Sequence, residues 1–135
     1  MGAVVLDACA ILSYLRDEDG ADMVEIFLVD QSNQCLVHAV NLCEIFYDIL
    51  RSDGETEALK AVEAIKSLGI MTREDMDEQV WQAAGHYKVN FRIALGDCFA
   101  LALAKKESAK LITSDRREFE RVNNSGLCSI IFIRN

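Results

Sequence analysis

A chain of 135 residues with 51% hydrophobic side chains can bury one ordinary core. Its net charge of −8 argues against a general nucleic-acid-binding surface, because phosphate contacts need Lys and Arg to displace counterions. The apolar runs are too short to span a bilayer, and the first, 3–6, lacks the basic flank of a signal peptide, so one cytoplasmic domain over 1–135 is expected.

The elements read as alternating strands and helices. "AVVL" (3–6) is a short buried strand, followed by a helix from about Cys9 to Leu15. Acidic "RDEDG" leads to a second helix near Ala21 to Val29, and "QCLVH" (34–38) is the second strand. Leu42, Ile45, Phe46, Ile49 and Leu50 then keep the i, i+3, i+4, i+7, i+8 spacing of a helix, which "RSDG" ends. Further helices cover Glu55 to Leu68 and Asp75 to Tyr87, with "GIMT" (69–72) between them as a strand. "IALGDCFALALAKK" (93–106) is a helix apolar nearly all round, with one carboxylate, Asp97, at its start. "AKLITS" (109–114) and "SIIFI" (129–133) close the series as strands. Short apolar strands alternating with helices predict an α/β fold, a three-layer α/β/α sandwich around a mostly parallel four- or five-stranded sheet.

This organisation gives Asp97 a location. A helix from Asp97 to about Glu107 rises roughly 15 Å, and the strand returning over 109–114 covers about the same length. Asp97 and Asp115 therefore finish at the same end. Asp7 follows its own strand directly; if that strand runs parallel to 109–114, all three carboxylates reach the carboxyl edge, where open α/β sheets bind ligands. Glu44, early in the helix after strand 34–38, reaches the same crevice.

Each acid also has a plainer reading. Asp97 in a first helical turn is favoured by the macrodipole, Asp7 and Asp115 suit helix caps, and Glu44 lies beside Asp48 on a solvated stripe. Separate caps, however, need not share an edge with an extra glutamate. Crowded carboxylates repel unless a cation sits among them, and hard oxygen ligands without paired His or Cys favour Mg²⁺ or Mn²⁺ over Zn²⁺. Such an ion suits phosphoryl chemistry.

Charge is distributed unevenly along the chain. Residues 1–90 hold 6 basic and 17 acidic side chains, whereas 91–135 hold 8 basic and 5 acidic. A polyanion would meet the C-terminal third, where Arg116, Arg117 and Arg121 either hold phosphates or form an ordinary solvated helix face.

"VVLDACAIL" (4–12), "HAVNLCEIFYDIL" (38–50), "IALGDCFALALAKK" (93–106) and "LITSDRREFERV" (111–122) together resemble the four acidic blocks of PIN-domain nucleases, including VapC-type toxins. Their order and spacing cover nearly the whole chain. The resemblance implies a metal-dependent endoribonuclease that cuts RNA, commonly a homodimer, and in toxin–antitoxin systems one blocked by an antitoxin protein inserted near the active site. Carried over, Asp7, Glu44, Asp97 and Asp115 would form the catalytic metal site, with Glu118 as an additional member. Thr113 or Ser114 would hydrogen-bond a ligand or water. The chain departs from the family pattern after Asp7, where Ala8 and Cys9 stand in place of hydroxyl or amide residues. That departure leaves open a second function, a PIN-fold module that binds protein or RNA with little catalysis.

Other residues point to structure. His38 ends a strand and His86 sits beside Tyr87, with no Ser/His/Asp or Cys/His spacing for acyl transfer. "DEDGAD" (17–22) lacks the spacing of a calcium loop and reads as a solvated turn. Trp81 is expected in the core or on a dimer surface. Five cysteines, odd in number and without a C-x-x-C pair, are expected to be reduced core residues. A receiver-type phosphoacceptor would want a second acid beside the first strand and a lysine after the last, and neither is present.

Overall fold

Four helices begin where a polar side chain takes over an amide that the helix itself leaves unpaired. Asp7 caps α1 (Ala8–Leu15), the His38 ring nitrogen caps α3 (Ala39–Asp53), Asp77 caps α5 (Glu78–Phe91) and Asp115 caps α7 (Arg116–Ser125). Glycine opens the other two early helices, α2 (Ala21–Val29) after Gly20 and α4 (Glu55–Ser67) after Gly54. Gly20 has a φ of 98°, and a Cβ there would meet Ile133 at 2.8 Å, so this turn needs glycine for conformation and for space.

The computed structural model describes residues 2–135. Among them, β1 (Gly2–Leu6), β2 (Asn33–His38), β3 (Met71–Arg73), β4 (Lys110–Thr113) and β5 (Ile130–Phe132) form one sheet in the order β3-β2-β1-β4-β5. Every neighbouring pair is parallel. The chain winds outward from β1 to β3, then crosses to the other side of β1 for β4 and β5. The direction of winding thus reverses between β1 and β4, the topological switch point where such sheets open a crevice.

Side chains alternate across the sheet as the two-residue period of a strand requires. Val4, Leu6, Cys35, Val37 and Ile112 face the helices α1 to α4, with Ile11, Ile45, Ile49 and Ile65 packed on them. Val5, Leu36, Leu111 and Ile130 face the other layer, which holds α5, α6 (Leu95–Lys106) and α7. Every residue of α6 from Cys98 to Ala104 is buried, which explains its apolar circumference. Each fully buried Leu or Ile contributes about 1.5–3 kcal/mol. The middle turns of α6 are therefore anchored on all sides, which fixes the direction of the helix toward the sheet edge.

The fold is the expected three-layer α/β/α sandwich, with five strands and a sheet parallel throughout. Several boundaries move. The structure carries α3 through Arg51, Ser52 and Asp53 to a stop at Gly54, and α5 begins at Glu78 because Asp77 is its cap.

Candidate active site

Register alone brings two of the acids together. Leu6 of β1 pairs with Ile112 of β4, so Asp7 and Asp115 leave the sheet at adjacent points of one edge. The Asp7 amide continues the ladder by donating to the Ile112 carbonyl at 3.1 Å. Its carboxylate, only 1% exposed, accepts from the Ala10 amide at 2.9 Å and from the Cys9 thiol at 3.1 and 3.2 Å. Burial outweighs these bonds and pushes the Asp7 carboxyl up to about 6.

Thr113 is buried beside it. The Thr113 hydroxyl accepts from the Asp115 amide at 3.0 Å and lies 3.4 Å from Cys9 Sγ. Asp115 Oδ1 in turn accepts from the Glu118 amide at 3.0 Å, capping α7. Ser114, between the two, is half-buried. Asp7 and Asp115 are thus helix caps, as their plain reading had it, and are also neighbours at the switch point.

Asp97 and Glu44 arrive from opposite layers. Asp97 stands in the first turn of α6, whose cap residue Ala94 offers no side-chain bond. The carboxyl is pushed up to about 8, by burial first and then by the charges of Asp7, Glu118, Glu44 and Asp115. Glu44, half-buried on α3, is also raised, because burial exceeds the help of a 2.9 Å bond from the Asn41 amide. The face read as a solvated stripe turns inward here.

Glu44, Asp97, Asp115 and Glu118 line one crevice of about 350 Å³, together with Cys9, Tyr47, Asp48 and Arg51. Asp7 is buried next to it. Among the described residues, no three His, Cys, Asp or Glu side chains are drawn into a closed ligand group. The acids instead surround an open space. A larger recess of about 540 Å³ lies elsewhere, between Tyr14 and Leu15 of α1, Ala21 and Glu25 of α2 and Ala64 of α4.

The donor set suits a hard divalent cation. It consists of carboxylate oxygens, and its members raise one another's proton affinity in the way that a cation would reverse. Cys9 does not soften it, since burial and the charge of Asp7 push its thiol up to about 12 and leave it a hydrogen-bond donor.

The arginines of α7 lie off the crevice lining. Arg116 covers the Phe132 ring at 4.2 Å, Arg121 donates to the Phe91 carbonyl, and Arg117 is exposed. Among the described lining residues the cation is Arg51, which shares Asp48 with Arg16. Sequence reasoning missed Arg51, Tyr47 and Asn41. For the first two, the i+3 and i+7 spacing from Glu44 along one helix was the available signal.

The histidines are structural in their surroundings. His38 is fully buried, accepts from the Val40 amide at 3.0 Å, meets the Asp75 carbonyl at 2.8 Å and stacks on Phe99; His86 is exposed. Trp81 is 49% exposed, so it belongs to the surface and not the core. All five cysteines are free, but only Cys35 and Cys98 are core residues; Cys43 is exposed on α3, and Cys9 and Cys128 are half-buried.

The PIN domain family model matches residues 4–124, and the chain belongs to that family. No curated protein sequence matches it. Solved structures share the fold at low identity. VapBC2 of Rickettsia felis, bound to a promoter DNA fragment, superposes with a TM-score of 0.74 at 14% identity, covering 96% of this chain and 98% of that one. DNA-bound VapBC of Salmonella typhimurium gives 0.73 at 19% identity, over 98% and 99%. VapC20 of Mycobacterium tuberculosis, described as a sarcin–ricin loop cleaving toxin, gives 0.70 at 13% identity, over 88% and 94%.

Proposed function

We propose that this chain is a Mg²⁺- or Mn²⁺-dependent endoribonuclease that hydrolyses RNA phosphodiester bonds, and is the toxin of a toxin–antitoxin pair. The observation that carries the reading is geometric: Glu44, Asp97, Asp115 and Glu118 line one crevice with Asp7 buried beside it, and burial together with these acids raises the proton affinity of Asp97. Asp7, Glu44, Asp97 and Asp115 would hold the ion, with Glu118 at the rim. A divalent ion bound there supplies charge stabilisation for phosphate oxygens and a more acidic water.

The chain's own residues do the rest. Ala10 and Cys9 orient Asp7, and Thr113 sets the turn that presents Asp115. Arg51 places positive charge on the crevice wall for a neighbouring phosphate, and Tyr47, 48% exposed beside it, offers a face to an unpaired base. Arg116, Arg117 and Arg121 extend the positive field beyond the crevice.

Structural neighbours that are VapBC complexes support an antitoxin partner. The recess between α1, α2 and α4, on helices that also expose Ile26 and Leu59, suits an apolar protein segment. Exposed Trp81 and Val89 on α5 support a homodimer. No described helix is long and apolar enough to cross a membrane.

The test is cleavage of mixed single-stranded and structured RNAs in Mn²⁺, Mg²⁺ or EDTA, with Asp7→Asn and Asp97→Asn alongside. Cleavage that needs the ion and disappears in both variants supports the reading. A folded wild-type chain as inert as the variants, and taking up no Mn²⁺, would sink it in favour of a binding module.

A further inference from the structure

Asn41 lies one turn before Glu44 on α3 and is completely buried. Its side-chain amide donates to Glu44 Oε1 at 2.9 Å and to the main-chain carbonyl of Gly96 at 3.1 Å. Both partners are acceptors, so only one orientation of the amide is workable. Flipped, it would set an oxygen against two oxygens.

That orientation leaves Asn41 Oδ1 buried without a partner, the one such side-chain atom among the described residues. An orphaned buried carbonyl costs folding free energy that an apolar side chain of similar size would not. The bonds on the other side of the amide join two helices exactly where two acids meet. One reaches the Glu44 carboxylate, and the other reaches the residue before Asp97.

Gly96 completes the contact. It is buried, and a Cβ there would stand 2.5 Å from Glu44 Cδ, so only glycine lets the first turn of α6 lie against that carboxylate. A tie between α3 and α6 needed for stability alone would be served by apolar packing. What the polar tie adds is the direction of one carboxylate.

We propose that Asn41 is a positioning residue that clamps the Glu44 carboxylate to the N-terminal turn of α6, so that Glu44 and Asp97 face a single cation as a preset pair. The role rests on the metal-site reading above. Asn41 touches neither ion nor substrate and acts only through Glu44.

The experiment measures Mn²⁺ affinity by calorimetry and thermal unfolding in EDTA for wild type, Asn41→Leu, Glu44→Gln and the double variant. Asn41→Leu should weaken Mn²⁺ binding by about 10- to 100-fold, the range for groups that orient metal ligands, while its unfolding midpoint in EDTA stays level or rises. In the Glu44→Gln background the same substitution should change affinity by less than about twofold, because the group it acts through is gone. Gly96→Ala, which displaces Glu44 from the other side, should weaken Mn²⁺ binding in the same direction, and it carries the test if Asn41→Leu does not fold. Wild-type affinity in Asn41→Leu or, failing that variant, in Gly96→Ala overturns the role, as does an equal loss with and without Glu44. A wild-type chain that takes up no Mn²⁺ overturns the metal-site reading and this role with it.

Discussion

The two ends of α6 carry opposite solutions to the same problem. At its N-terminus, Asp97 sits among four other carboxylates and is pushed up to about 8. At its C-terminus, Asp75 packs against Arg73 at 2.8 Å and Lys106 at 2.6 Å, and these partners, Arg73 above all, hold its carboxyl well below the usual range. Arg73 also reaches Glu107 at 2.9 Å, so the cluster neutralises its charges internally. Among the described residues Asp97 forms no ion pair, although the helix dipole favours a carboxylate there. Under the proposed function, the unanswered carboxylate is the one that would meet a bound cation.

The largest expected effect breaks the crevice. Asp97→Asn or Asp7→Asn should lower metal-dependent RNA cleavage by more than about 100-fold, since even groups that merely orient ligands are worth 10- to 100-fold. The same variants should leave the Asp75 cluster and the fold intact by circular dichroism. Asp75→Asn should do the reverse, costing about 1–3 kcal/mol of stability in denaturant titration while cleavage at a permissive temperature stays near wild type. Loss of cleavage there without loss of stability would dissolve the contrast.

A smaller effect separates the regions by pH. Asp7 and Asp97 keep protons in the folded chain that the unfolded chain releases near 3.8, so folding takes up protons above that value. Their contribution to stability is full below 3.8 and is lost as pH rises through about 6 and about 8. Asp75 behaves oppositely: its contribution is present above the ordinary carboxylate range and is lost as pH falls through its lowered value. The unfolding midpoint of the metal-free chain should therefore drop by on the order of a few degrees between pH 5 and 8. Mn²⁺ should restore it, and Asp97→Asn should flatten the slope. The smallest effect is expected at Cys9, where Cys9→Ser keeps a donor to Asp7 and should change cleavage by less than about threefold.

Asp7 and Asp115 were legible from the sequence because Asp7 directly follows its strand and Asp115 comes two residues after the end of β4, and a carboxylate just past a parallel strand emerges at the carboxyl edge. Glu44 was half legible. Its position on the helix was right, but its neighbours Leu42 and Asp48 do not tell whether that face meets water or another layer. Asn41 and Gly96 could not be singled out at all. Their role is a contact across 55 positions of chain, and an asparagine and a glycine in apolar surroundings otherwise read as a turn-former and a small residue. The α7 arginines show the converse, since local charge density made them prominent while Arg116 lies over the Phe132 ring and Arg121 bonds the Phe91 carbonyl, both off the crevice lining.

By itself, then, the sequence determined the alternation of elements, the three-layer class and the acids placed at strand and helix ends, because hydrophobic period and capping are local and act over a few residues. Tertiary structure decided that β1 lies beside β4, that α3 turns Glu44 inward to meet α6, and that Asp75 is answered by cations while Asp97 is not. Those outcomes depend on strand order and on burial, and both arise only when segments far apart in the chain share one low-dielectric interior.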